Sequence, residues 1–102
     1  MAARRKRDLP PVHPGEILRS EFLDPLGLSV NALSQSIKVP RTRLNDIVRG
    51  RRGISADTAI RLARFFRVSP QFWMNLQSHY ELEIAQEAAG SRVAKEIRPY
   101  AA

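Results

Sequence analysis

Residues 39–52 read VPRTRLNDIVRGRR, and this stretch constrains the chain more than any other. It carries five arginines, yet Leu44, Ile47 and Val48 recur through it at helical spacing. A helix with this pattern buries its aliphatic face and turns its guanidinium groups outward. The stretch therefore predicts a short helix, from about residue 40 to residue 49, that packs on a core and keeps a basic free side.

Helix boundary signals recur along the rest of the chain. Four helix starts carry a capping side chain, a proline in the first turn, or both. They are His13-Pro14, Ser29, Ser55 and Ser69-Pro70. Helix ends are predicted at Gly27, Gly50 and Gly90, and Pro40 separates the second helix from the third. Apolar and polar residues nowhere alternate for long enough to predict a strand, so the fold class is all-α, a bundle of five helices.

The formal net charge of +7 is concentrated in two short segments. Residues 4–7 are RRKR, and residues 38–52 hold six basic side chains against one acid, Asp46. A focused positive potential favours a polyanionic partner, with nucleic acid first among the candidates. The alternative is a solvated basic surface without a partner. The N-terminal run could likewise lie on a DNA backbone, enter a minor groove or stay disordered.

Residues 30–49 are predicted to form a helix-turn-helix, two short helices packed across a tight turn. Their facing positions hold small or aliphatic side chains. The predicted core of this unit is Leu33, Ser34, Ile37, Val39, Leu44 and Ile47.

With that side buried, the side chains of Arg41, Thr42 and Asn45 point outward, and those of Arg43 and Arg49 flank them. An α-helix fits the DNA major groove with its N-terminal residues nearest the base edges. Arginine can bind guanine with two hydrogen bonds, and asparagine can bind adenine in the same way. The outward face is therefore predicted to read double-stranded DNA.

The last predicted helix carries an apolar stripe at spacings of three, four and four. Its members are Trp73, Leu76, Tyr80 and Ile84. The first interpretation is core packing, and the alternatives are a dimer contact or a ligand cage. Three glutamates on the same helix, Glu81, Glu83 and Glu87, form either a solvated face or a docking site for a basic protein.

Several functions are disfavoured by composition. The chain has no cysteine, which excludes disulfides, thiolate catalysis and cysteine-bound zinc. No carboxylate is placed by sequence to orient His13 or His79, so we expect no metal site, no cofactor and no enzyme. No apolar run is long enough to span a membrane, and the basic N-terminus lacks the apolar segment of a secretory signal. A soluble cytoplasmic protein is expected.

Three segments together resemble the HigA family of bacterial antitoxins, which have the Cro/repressor (XRE) type of helix-turn-helix. They are HPGEILRSEFLDPLGLS, VPRTRLNDIVRGRRGISADTAIRLARFF and SPQFWMNLQSHYELEIA, within residues 12 to 86. The resemblance implies a lambda-repressor-like fold and a homodimer that binds an operator in its own promoter. It also implies neutralisation of a cognate HigB-type toxin, an mRNA endonuclease. A free-standing XRE regulator without a toxin is the alternative.

Family positions carried onto this sequence suggest a division of labour in DNA binding. Base readout falls on Arg41, Thr42, Arg43 and Asn45, and backbone contacts fall near Gln35, Arg49, Arg51 and Arg52. One departure is Lys38, which stands where many helix-turn-helix turns hold a left-handed glycine. We expect Pro40 to impose a slightly different turn there.

The predicted organisation follows from these assignments. A basic arm (1–12) precedes a DNA-binding domain (13–68) that contains the helix-turn-helix (30–49). A long helix (69–90) and a weakly ordered tail (91–102) complete the chain.

Overall fold

The computed structural model describes residues 10–101, and the RRKR run of the predicted basic arm lies outside this range. The described residues form five helices and no strand, which confirms the all-α prediction. The first, α1, spans residues 14–26 and is π-helical in its middle, at Leu18–Leu23. The other four are α2 (Val30–Ile37), α3 (Arg41–Val48), α4 (Ala56–Phe66) and α5 (Pro70–Glu96).

The four predicted helix starts are confirmed, because each has a side chain that accepts a first-turn N–H. The Nδ1 atom of His13 accepts from the Gly15 N–H at 2.9 Å. The hydroxyls of Ser29, Ser55 and Ser69 accept from Ala32, Thr58 and Phe72 at 3.0, 3.3 and 3.1 Å. The fifth helix, α3, begins after Pro40 without a side-chain cap.

The core lies where α1, α4 and the first half of α5 meet the helix-turn-helix. Its largest fully buried side chains include Trp73, Leu18, Leu33, Leu44, Ile47 and Leu62. Phe22 packs against the Trp73 and Phe66 rings, with centroid distances of 5.1 and 4.8 Å. The aromatic cluster joins α1, α4 and α5 and gives the short α2 and α3 a surface to pack on.

The turn between α2 and α3 keeps the left-handed conformation that is usually given to glycine. Lys38 ends α2 with φ 61° and ψ 44°. The expectation that Pro40 would impose a different turn was wrong, because Lys38 adopts the strained backbone and its side chain stays exposed. Val39 follows as a buried residue whose N–H donates to the Ser34 carbonyl at 3.2 Å.

The last helix is longer than predicted. It continues through Gly90 to Glu96, so the predicted helix end at Gly90 and the tail from residue 91 were wrong at this boundary. Gly90 is not among the glycines with positive φ, which are Gly27 and Gly50. A glycine in a helix interior costs about 1 kcal/mol but ends the helix only where it turns left-handed.

Candidate nucleic-acid interface

The two faces of α3 have opposite environments. Leu44 and Ile47 are fully buried, and Val48 is half-buried beside them. Arg41 and Thr42, at the start of the helix, are exposed. Arg43 and Asn45 are half-buried on the flanks. The helix therefore presents its N-terminal turn most openly, which is the end that enters a major groove in helix-turn-helix proteins.

The predicted core of the helix-turn-helix lies together on the inner side. Leu33, Ser34, Ile37, Val39, Leu44 and Ile47 are all buried. Ser34 is the polar member, and its small side chain lets α2 and α3 approach closely. The unit is thus a rigid support for the exposed turn of α3.

Three contacts from other helices fix the position of this unit, and the first comes from α1. Gly15 is buried against α3, so close that an added Cβ would overlap the backbone carbonyl of Ile47. Only glycine allows this approach without movement of one of the helices. The start of α1 therefore sets the height of α3 above the core.

The second contact comes from α4. Arg61 donates from Nη1 to the Ile37 carbonyl at 3.0 Å, and its Nε donates to the Asp57 carboxylate at 2.9 Å. The Ile37 carbonyl belongs to the last turn of α2, where carbonyls lack partners within the helix. The sequence predicted that Arg61 faces outward, but it is half-buried and holds the end of α2.

The third contact comes from α5 and was not predicted. Gln77 is only 6% exposed and accepts from the Ile54 N–H at 2.7 Å. Its Nε2 donates to the Glu81 carboxylate at 2.8 Å. The loop that leaves α3 is thereby fixed to α5, and Gly53 in that loop has no room for a Cβ beside the Gln77 amide.

His13 joins the same loop to α1 and α5. Its ring meets the Tyr80 ring edge to face at 4.8 Å and lies beneath Gly50. Burial lowers the pKa of His13, and a hydrogen bond with the Arg52 backbone opposes that shift in part. The neutral ring also suits its role at the start of α1, since Nδ1 must stay unprotonated to accept the Gly15 N–H.

The arginines predicted to contact phosphates sit around this fixed loop. Arg51 is exposed and pairs with Asp46 at 3.3 Å, which directs its side chain back along α3. Arg52 and Arg43 line a shallow groove of about 270 Å³ with Gly53, Ser55 and Thr58. Both arginines can thus approach one phosphate at the start of α4.

The two other residues predicted to contact phosphates, Gln35 and Arg49, are exposed on α2 and at the end of α3. The structure brings the predicted interface residues to one side of the helix-turn-helix.

The apolar stripe of α5 serves mainly as core. Trp73 is fully buried, Leu76 and Tyr80 are half-buried, and Ile84 is 41% exposed. A dimer contact through Trp73 is therefore excluded, whereas Ile84 remains at the surface.

Other classes of site find no support within residues 10–101. Acidic and histidine side chains nowhere gather in threes as a metal site requires. The described helices also lack the combination of length and apolar character needed to cross a bilayer.

A buried aliphatic face below an exposed basic turn defines a helix-turn-helix protein. The family model described as Helix-turn-helix matches residues 20–73. Virulence-associated protein I of Dichelobacter nodosus is 50% identical over 82 residues, covering 80% of this chain and 76% of that protein. Antitoxin HigA-1 of Vibrio cholerae is 37% identical over 79 residues, which is 76% of this chain and 73% of its own length.

Solved structures agree with these relatives. The Pseudomonas aeruginosa antitoxin HigA, solved with the higBA promoter, superposes with a TM-score of 0.87 and 55% identity. The match covers 89% of this chain and 99% of that one. The chain therefore belongs to the helix-turn-helix family of non-enzymatic DNA-binding regulators, among its HigA-type antitoxins.

Proposed function

We propose that this protein is an antitoxin that binds operator DNA as a dimer, represses its own operon and neutralises a HigB-type toxin. One observation carries the DNA-binding role: Arg41 and Thr42 are exposed at the start of α3, directly above the buried Leu44 and Ile47. Support for the antitoxin role comes from the HigA relatives, one of which was solved with promoter DNA. The toxin, an mRNA endonuclease, is the partner that membership among these antitoxins implies.

In this proposal the interface side chains divide between reading sequence and holding the backbone. Arg41, Thr42, Arg43 and Asn45 contact base edges, whereas Gln35, Arg49, Arg51 and Arg52 contact phosphates. The exposure of Arg41 and Thr42 supports their readout role, because base edges must be reached without rebuilding the fold. Phosphate contacts fix register and carry the salt dependence, so they suit the loop at residues 50–53.

A dimer presents two copies of α3 to one face of the DNA. Half-sites about 34 Å apart place both recognition helices in successive major grooves. Such an operator is expected to be close to palindromic, since the two copies of the protein are related by a two-fold axis. Binding in the cytoplasm, where the operon is transcribed, completes the proposal.

The division of labour is tested by titrating operator and scrambled DNA at several salt concentrations. Arg41→Ala should lose about 1–3 kcal/mol of discrimination between the two DNAs and keep most of the salt slope. Arg51→Ala should weaken binding to both DNAs and reduce the slope of log affinity against log salt by about 0.9. Arg64→Ala is the matched control, because this exposed arginine lies on α4. It should change neither quantity by a comparable amount.

Equal effects of Arg41→Ala and Arg51→Ala on discrimination and on salt slope would contradict the assigned roles. Toxin neutralisation is tested separately by co-expression with the protein encoded by the adjacent gene. The proposal expects a stable complex and relief of growth arrest. If DNA binding holds and both of these are missing, the protein acts as a regulator without a toxin.

A further inference from the structure

The second half of α5 extends away from the rest of the molecule. Gln77 is the last buried residue of the described chain, and α5 continues to Glu96. At about 1.5 Å per residue, the helix beyond Glu81 is about 22 Å long. Leu82 and Val93 on this segment are 56% and 48% exposed. An extended helix that exposes large aliphatic side chains indicates a surface for another molecule.

These aliphatic side chains belong to one stripe. At about 3.6 residues per turn, Leu82, Ala85, Ala89 and Val93 share one face of α5, nearly opposite the face of Trp73 that packs on the core. Earlier in α5 the same outer face carries exposed polar residues, which are Gln71, Asn75 and Ser78. The outer face therefore changes from polar to apolar at Leu82, where the core contacts of α5 have ended. We call residues 82, 85, 89 and 93 the distal stripe.

The charges beside the distal stripe reverse along the helix. Its beginning is acidic and its end is basic, with Glu81, Glu83 and Glu87 followed by Arg92, Lys95 and Arg98. Helical geometry puts Glu81, Arg92 and Lys95 on the same flank of the stripe. The Arg92 guanidinium comes no nearer than 3.9 Å to Glu96 within the chain, which leaves its donors open.

This order of charges selects the partner. A uniformly basic protein would meet Arg92 and Lys95 unfavourably, and a polyanion would meet the glutamates unfavourably. A helix that runs in the opposite direction with the same sequence places basic residues against acidic ones at both ends. Two antiparallel copies of the distal half are therefore complementary to each other in charge and in apolar pattern.

We propose that the distal stripe is a two-fold dimer interface with a second copy of this chain, paired antiparallel. Leu82 lies against Val93 of the second copy, and Glu81 pairs with Arg92 and Lys95 of that copy. Ala85 and Ala89 have side chains small enough for the two helices to approach closely near the axis. The inference deepens the proposed function, since it assigns a surface to the dimer on which operator binding depends.

Charge reversal tests the pairing in the intact chain without DNA. Sedimentation equilibrium of Arg92→Glu should show a dimer dissociation constant raised by about tenfold, because each change occurs twice in a two-fold interface. The double variant Glu81→Arg/Arg92→Glu restores the opposite charges and should return to within about threefold of the wild type. Arg64→Glu makes the same charge change on α4 and should leave the dimer unchanged. Circular dichroism verifies that each variant is folded.

Engineered cysteines test the direction and register against a chain that has no cysteine of its own. Residues 82 and 93 are eleven positions apart, about 16 Å along the helix, which a disulfide cannot span. Mixing Leu82→Cys chains with Val93→Cys chains under mild oxidation should give covalent dimers that contain one of each. Leu82→Cys alone should give none. Efficient cross-linking of Leu82→Cys to itself would indicate parallel helices and overturn the inference.

The outcomes separate this inference from the proposed function. A wild-type chain that is monomeric without DNA overturns the inference, and so does a dimer unaffected by Arg92→Glu. In either case operator binding by the same preparation leaves the proposed function standing with another interface. A dimer that behaves as expected but has no preference for operator DNA supports the inference and counts against the proposed function.

Discussion

The helix-turn-helix with its following loop and the distal half of α5 are both short, charged helical regions, yet they depend on different interactions. The first is held by Gly15 of α1, Arg61 of α4 and Gln77 of α5. The second, beyond Glu81, has no buried side chain among the described residues and relies on its own helix propensity. Reading DNA needs a helix whose position is fixed, whereas a surface for association needs only to stay exposed.

The largest expected difference comes from one substitution made in both regions. Gly15→Ala should lower the free energy of unfolding by roughly 3 kcal/mol, because its Cβ overlaps the Ile47 carbonyl and forces α1 and α3 apart. Gly90→Ala should leave the core intact and strengthen the distal helix by about 0.5–1 kcal/mol, since the nearest atom to the added Cβ is the Gln86 Cβ at 3.8 Å. Urea unfolding measures the first change, and amide hydrogen exchange in residues 86–96 measures the second.

Operator affinity sharpens this comparison. Gly15→Ala should weaken DNA binding even at temperatures where the chain is fully folded, because α3 has moved on its support. A Gly15→Ala protein with wild-type stability would show that α1 does not set the position of α3.

A smaller effect is expected from the polar tether of the loop. Gln77→Ala leaves the buried Ile54 N–H without its acceptor, which should cost about 1–3 kcal/mol of stability. Gln86→Ala, an exposed glutamine on the same helix, is the matched control and should cost almost nothing. Unfolding in urea gives both numbers. Equal costs for the two glutamines would argue that the tether contributes nothing to stability.

The smallest expected effect depends on pH. Because burial lowers the pKa of His13 in the folded protein, the unfolded chain binds a proton more readily than the folded one. The stabilising contribution is therefore complete above the ordinary histidine pKa of about 6.5 and is lost as the pH falls through the folded-state value. One proton changes the free energy of unfolding by at most about 1.4 kcal/mol per pH unit.

His13→Asn keeps a side chain that can cap α1 but removes the titration. Between about pH 5 and pH 7.5 the wild type should lose stability on acidification more steeply than this variant. Thermal melts across the range provide the comparison, and parallel curves for the two proteins would assign the pH dependence to other groups.

Sequence reasoning succeeded where the signals were local. Capping serines and helix-breaking residues gave the starts of four helices, and apolar spacing gave the buried side of α3. Arg61 was misplaced because its acceptor, the Ile37 carbonyl, lies 24 residues away and is brought near by the fold alone. Gln77 lies between Trp73 and Tyr80 in the apolar stripe, so the spacing pointed to burial and its polarity concealed it. The end of α5 was missed because Gly90 was interpreted by residue type, without the backbone angle that decides its role.

The left-handed lysine at the end of α2 has a consequence for recognising such proteins. Lys38 occupies a backbone conformation that favours glycine by about 1–2 kcal/mol, and the surrounding structure maintains it. The anchoring is supplied by Val39 buried on one side and by the guanidinium of Arg61 on the carbonyl before it. A search pattern that demands glycine at this turn would pass over chains of this kind, whereas one that asks for a buried aliphatic residue just after the turn would retain them.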